Sequence, residues 1–137
     1  MGSVTQEKGY QVGLTVGRYG ADEGIGGGIC QFTNLIHWLI LHSPLTIVER
    51  HHHQLMDLFP DFKRTTPFGV GTSIVYNYLD YRFCNNTDKT CQLVFSMDDT
   101  YLKGYLYADK PPQDKYHIKT MDECFVKEGD DYSRWVK

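Results

Sequence analysis

One cysteine, a cluster of histidines and a run of glycines have the types and spacing to support chemistry. Cys30 follows Gly26-Gly27-Gly28-Ile29 and precedes Gln31. A helix starting there puts the thiol in its first turn. Free amides and the positive end of the helix dipole stabilise a thiolate at that position. The thiolate is the reactive form, so the placement suits a nucleophile. Amides near Gly28 to Gln31 then offer donors to an oxyanion, and Gln31 adds a side-chain donor. The competing reading is a small buried thiol behind a tight helix entry, which is the commoner case for a cysteine after glycines.

The second group is Glu49-Arg50-His51-His52-His53. On a strand, His51 and His53 share a face and His52 takes the other. One imidazole then serves as base to Cys30, or both join it around a metal. A third group would orient the base, and Glu49, Asp57, Asp80 and Asn34 are candidates. Asp80 interrupts an aromatic stretch, which also fits an outward residue on an alternating strand. His37 and His42 read as half-buried or surface histidines, and His117 is isolated.

The elements that position these residues follow from periodicity. Phe32, Leu35, Ile36, Leu39 and Ile40 repeat at helical spacing, which predicts a helix from Cys30 to Leu41. Ser43-Pro44 ends it, because proline disfavours helical geometry in the preceding residue. Residues 45–53 read as a strand. Helix from Cys30 to Leu41 rises about 16 Å. Strand from Leu45 to His53 covers about 26 Å. An antiparallel return therefore brings His51 almost level with Cys30, which favours the functional reading. Val12 to Val16 reads as a short strand, and 54–71 as a loop. Thr72–Tyr76 and Leu79–Cys84 read as strand segments with a bend at Asn77. Turn residues 85–90 lead to strands at Cys91–Met97 and Tyr101–Tyr107. His117–Lys119 and Cys124–Lys127 suggest a terminal hairpin. The expected fold is α+β, one central helix packed on an antiparallel meander.

Composition narrows the class. The chain has 137 residues, 14 Lys+Arg against 17 Asp+Glu, and a net charge of −3. A mildly acidic chain without basic clusters is a poor nucleic-acid binder. No apolar run reaches the ~20 residues of a membrane span. The start lacks the apolar core of a signal peptide. The expectation is one domain over 1–137, with a strand and loop region at 1–23, a core at 24–109 and a C-terminal extension at 110–137, all read as a fragment of a longer protein. Cys30, Cys84, Cys91 and Cys124 form no C-x-x-C pair. Cys84 and Cys91 flank a polar loop and could face each other across a hairpin, as a disulfide or, more commonly, as two reduced thiols. Unpaired thiols lean slightly towards a cytoplasmic, reducing compartment.

Three motifs carry a resemblance. Gly-Gly-Gly-Ile-Cys-Gln-Phe-Thr-Asn-Leu (26–35), Pro-Leu-Thr-Ile-Val-Glu-Arg-His-His-His (44–53) and Leu-Asp-Tyr-Arg-Phe-Cys-Asn-Asn-Thr-Asp (79–88) together resemble the VanW family. The resemblance runs from about Gly24 to Asp109, in the family's order and spacing. It implies a bacterial protein associated with the cell envelope or glycopeptide resistance, with a cell-wall peptide or precursor as partner. It carries no settled reaction. The family pattern marks Gly26, Gly27, Gly28, Cys30, Gln31, Asn34, Glu49, Arg50, His51, His53, Asp80, Asn86 and Asp88. Many members have an Asp where this chain has Gly71, so a role for that carboxylate is absent or transferred.

Three functions stay open at this stage. The first is a cysteine-dependent hydrolase or transferase acting on an amide, with Cys30 as nucleophile, His51 or His53 as base and no cofactor. The second is a non-enzymatic module that binds a cell-wall fragment or a protein through the glycine loop and aromatic strands. The third is a zinc site of Cys30, His51 and His53, since three such ligands leave an open position.

Overall fold

The structure, a computed structural model, describes residues 2–17, 20–52 and 69–136. Strands β1 (Val12–Gly17) and β2 (Gly20–Ile25) form an antiparallel pair with Val12 opposite Ile25. Helix α1 follows at Ile29–Leu41, then β3 at Thr46–Glu49. Strand β4 (Arg82–Cys84) pairs with β3. The hairpins β5–β6 (Cys91–Met97, Leu102–Ala108) and β7–β8 (Glu123–Glu128, Asp131–Val136) complete the order. The fold is α+β, with the helix packed against strands and every strand pairing antiparallel. Among the described residues the strands form four separate two-stranded sheets rather than one continuous meander.

The glycine run turns the chain from β2 into α1. Gly28 caps the helix in the left-handed region at φ 88°, which side chains other than glycine rarely adopt. Gly27 has another task. A Cβ there would lie 2.5 Å from the Gly13 carbonyl carbon, so two backbones touch at this point. The first hairpin thus docks against the helix entry through main chain.

Helix α1 uses two faces. Leu35 and Leu39 lie over Gly104 of β6, where an added Cβ would meet Leu39 Cδ1 at 3.0 Å. Phe32 and Phe95 meet edge-on, with ring centroids 4.7 Å apart. That contact seats the expected apolar stripe on the β5–β6 hairpin, whose residues alternate between half-buried and exposed. The most buried helix positions, however, are Thr33, Asn34, His37 and Ile40. Among the described residues, six polar side chains are buried against three apolar ones, Ile40, Leu45 and Val70. The interior therefore depends on satisfied hydrogen bonds as much as on apolar contact. Ser43 supplies two at the helix end. Its hydroxyl donates to the Ile40 carbonyl at 2.7 Å and accepts the Leu45 N–H at 3.2 Å.

Several expected boundaries move. The strand expected over 45–53 spans only Thr46–Glu49. Residues 72–74, expected in a strand, lie in none of the described strands. A tight turn closes at a single Val75–Leu79 bridge, and Asn77 sits at φ 65°. The expected bend at Asn77 is thus present. The last hairpin pairs 123–128 with 131–136, so His117–Lys119 contributes no strand. Strand β2 was not anticipated, because its two glycines and two acidic residues hide its alternation. Cys84 lies opposite Thr46 and Cys91 opposite Ala108. The two cysteines belong to different sheets, and all four are free thiols.

Candidate functional site

Cys30 occupies the first turn of α1, half-buried, behind the Gly28 cap. No side chain caps this end, and the first turn holds no acidic residue. The Ile29 N–H reaches the Gly26 carbonyl at 3.4 Å. The next amides, of Cys30 and Gln31, belong to the helix's unsatisfied first turn. Gln31 is exposed. The two left-handed glycines and the Gly13–Gly27 contact account for the glycine run as a fold element.

Strand β3 positions the basic cluster. Its register with β4 shifts between Ile47 and Glu49, so Val48 is the extra residue of a bulge. A bulge turns the side chains beyond it. Here it sets Glu49 opposite Arg82, and the Arg82 Nη1 lies 3.5 Å from Glu49 Oε2. The other carboxylate oxygen accepts from His51 Nε2 at 2.9 Å. Because a carboxylate only accepts, Nε2 carries the proton and Nδ1 holds the lone pair of the neutral ring. The hydrogen bond from His51 lowers the Glu49 pKa, burial opposes it, and Arg82 and the Asp80 backbone N–H reinforce it. Both partners are about one-third exposed, at 39% and 32%.

Residues 72 and 73 tie this cluster to the helix. Thr33 Oγ1 donates within 3.0 Å of both the Cys30 and Thr72 carbonyls. Asn34 Oδ1 accepts the Thr72 N–H at 2.6 Å. The next N–H, of Ser73, donates to the His51 carbonyl at 2.6 Å. One short segment therefore bridges the first two turns of α1 and the backbone of His51. Through residues 72 and 73 the His51 backbone is linked to the N-terminal half of the helix. Among the described residues, no hydrogen bond joins Cys30 to a His51 ring nitrogen.

Arg50 points the other way. Its Nη2 donates to the Gly69 and Gly71 carbonyls at 2.7 and 2.9 Å, and its buried Nε has no partner among the described residues. Close by, His37 Nδ1 bonds the Tyr81 hydroxyl at 3.0 Å. Burial, then the charge of Arg50, lowers the His37 pKa to about 4. Burial raises Tyr81 to about 12, partly offset by Arg50. This neutral pair beside a guanidinium was missed in the sequence. His37 falls on the helix at the spacing i, i+3, i+4 with Thr33, Asn34 and Ile40, and that polar stripe was its signal.

Among the other expected site residues, Asn86 donates to Thr46 Oγ1 at 3.4 Å and Asp88 pairs with Lys110 at 2.8 Å, both at the surface. Asp80 accepts its neighbour's N–H at 3.0 Å and, with Glu49 and residues 74–79, lines a cleft of about 310 Å³. His53 and Asp57 lie outside the described residues. Among the described residues no three His, Cys, Asp or Glu side chains are grouped to hold a metal ion, and no helix is long and apolar enough to cross a membrane.

Comparison with known proteins agrees with the three motifs. The family described as VanW like protein matches residues 1–107, which extends the resemblance to the first hairpin. The Vancomycin B-type resistance protein VanW of Enterococcus faecalis is 35% identical over 128 residues, covering 93% of this chain. The chain spans 46% of that relative's length. No solved structure matches. With the glycine entry, Cys30 and the Glu-Arg-His cluster all inside the matched span, this chain belongs to the VanW family.

Proposed function

We propose that this chain is the catalytic part of a cysteine-dependent amide hydrolase or transferase acting on a cell-envelope peptide. The observation that carries this reading is the 2.9 Å bond from His51 Nε2 to Glu49. It is the base–orienter half of a nucleophile triad, with the proton on the nitrogen that faces the carboxylate. Nδ1 is then the general base. It takes the Cys30 thiol proton as sulfur attacks the substrate carbonyl. The Cys30 and Gln31 amides hold the oxyanion. The C–N bond breaks, and the imidazolium returns the proton to the leaving amine. Water or a second amine then cleaves the thioester. Cys30 and His51 meet in the substrate complex, since such contacts are often loose without substrate. The envelope peptide as substrate class is supported by the resistance role in the name of the enterococcal relative.

The test is selective alkylation. An electrophilic thiol reagent should label Cys30 well below pH 8, faster than Cys84, Cys91 and Cys124. Equal, slow labelling of all four overturns the proposal.

A second reading, a non-enzymatic module binding a cell-wall fragment, draws on the exposed Tyr76 and Tyr78 at the cleft. Retention of a peptidoglycan fragment by the Cys30→Ala variant, with Cys30 unreactive in the parent, would favour it. His51 and His53 with Cys30 around zinc is the third proposal. Stoichiometric zinc in protein purified without a histidine tag would replace the first.

A further inference from the structure

The cleft beside the Glu49–His51 pair has a chemistry of its own. The turn closed by the Val75–Leu79 bridge forms one wall, and Glu49 of β3 forms the other. Two acidic residues line it, Glu49 and Asp80. Arg82 balances Glu49 at 3.5 Å. Among the described residues Asp80 forms no ion pair, and its carboxylate keeps one oxygen beyond the bond to the Tyr81 N–H. The same turn carries Tyr76 and Tyr78, 44% and 83% exposed. Exposed aromatic rings lining the same cleft as a carboxylate without an ion-pair partner suit a cation, which a ring face attracts and a carboxylate pairs. An anion would meet the Asp80 charge there, with no cation beside it among the described residues.

We propose that the cleft between Glu49 and the 74–80 turn binds a ligand through a primary ammonium group. The site goes beyond the catalytic reading, because it involves neither Cys30 nor turnover. If both hold, the cleft selects an amine-bearing peptide and presents it beside His51. The ammonium approaches Asp80 and the ring faces, while Glu49 keeps its bonds to His51 and Arg82.

The experiment is an NMR titration of the whole chain with Nα-acetyl-lysine amide, and separately with the same compound acetylated on its side chain. Alanine amide supplies a chain-terminal ammonium for comparison. An ammonium probe should shift the amides of Tyr76 to Asp80 saturably and bind at least about fivefold tighter than the diacetylated one. Whichever ammonium probe binds tighter identifies the source of the amine. Tyr78→Ala and Asp80→Asn should each weaken binding about two- to fivefold, and Tyr78→Phe should retain it. Tyr78 is too exposed for its loss to unfold the chain. Equal binding of charged and acetylated probes, shifts confined elsewhere, no saturable shift, or unaffected variants would overturn the assignment. Fast alkylation of Cys30 with no ammonium binding would remove the cleft alone. Binding with an inert Cys30 would remove the catalytic reading alone.

Discussion

His37 Nδ1 and the Tyr81 hydroxyl, 44 residues apart, share a 3.0 Å hydrogen bond inside the protein, one on α1 and the other next to β4. The pair is neutral, and Arg50 beside it penalises a second positive charge. His37 thus titrates near 4 when folded, against 6.5 for a free ring.

That shift fixes a pH dependence. The unfolded chain binds the proton more readily, so the contribution is complete above about pH 6.5 and is lost as pH falls towards 4. For a side chain only 2% exposed, the full shift corresponds to about 3 kcal/mol. Urea unfolding at pH 7.5, 6 and 4.5 should show falling stability in this window. His37→Gln should be less stable at pH 7.5 and should flatten the slope. An unchanged slope in that variant would exclude His37 as the source.

Removing the orienting carboxylate should separate reactivity from stability. Glu49→Gln keeps the shape of the side chain but loses the charge that favours His51 protonated on Nε2. If the cysteine reading holds, the alkylation rate of Cys30 should fall by about 10-fold or more. Stability should change by less than about 1 kcal/mol, because the partners are solvated. Rates and urea midpoints measured on the same samples decide it.

The bridge between α1 and His51 should be costly to break. Asn34→Ala leaves the buried Thr72 N–H without its 2.6 Å acceptor. The expected loss is about 1–3 kcal/mol. Hydrogen exchange should quicken at the Thr72 and Ser73 amides, with the β5–β6 hairpin little changed. Uniform loss of protection would mean that the bridge is no separate unit.

Two neighbouring glycines should respond differently to alanine. Gly27→Ala drives a Cβ into the Gly13 backbone, which cannot move aside as a side chain would. The expected cost is about 1–3 kcal/mol, from overpacking. Gly28→Ala meets no atom within 4 Å but holds a left-handed φ, at about 1–2 kcal/mol. Thermal unfolding of both should place Gly27→Ala lower, and near-UV spectra should report a shift of the first hairpin only in Gly27→Ala.

Much of the fold could be read directly. The helix limits follow from 3.6-residue spacing and from Ser43-Pro44, and the observed Ile29–Leu41 differs by one residue. Strand 91–97 follows from alternation, and the one expected over 101–107 is found one residue later, at Leu102–Ala108. What escaped depends on pairing. A bulge at Val48 leaves no mark in residue types, yet it determines which way Glu49 faces. The strand over 45–53 breaks off early because Arg50 turns to the Gly69 and Gly71 carbonyls. In the site, the Glu49–His51 bond was within reach of sequence reasoning, since both were candidates two residues apart. The burial of His37 leaves a weaker mark, the polar spacing of Thr33, Asn34 and His37, beside the stronger apolar stripe that faces the β5–β6 hairpin.

The strand pairings also order the assembly of the chain. β1–β2, β5–β6 and β7–β8 each close between neighbours in sequence, which microsecond hairpin formation can accomplish alone. β3 and β4 are separated by the residues between Glu49 and Arg82, and their pairing closes a far longer loop. Arg82 joins Glu49 and His51 only through that closure. The candidate chemistry is therefore completed late in folding, after the local hairpins exist. A nascent chain released before Arg82 has the cysteine and the histidines but not the arrangement that would make them act.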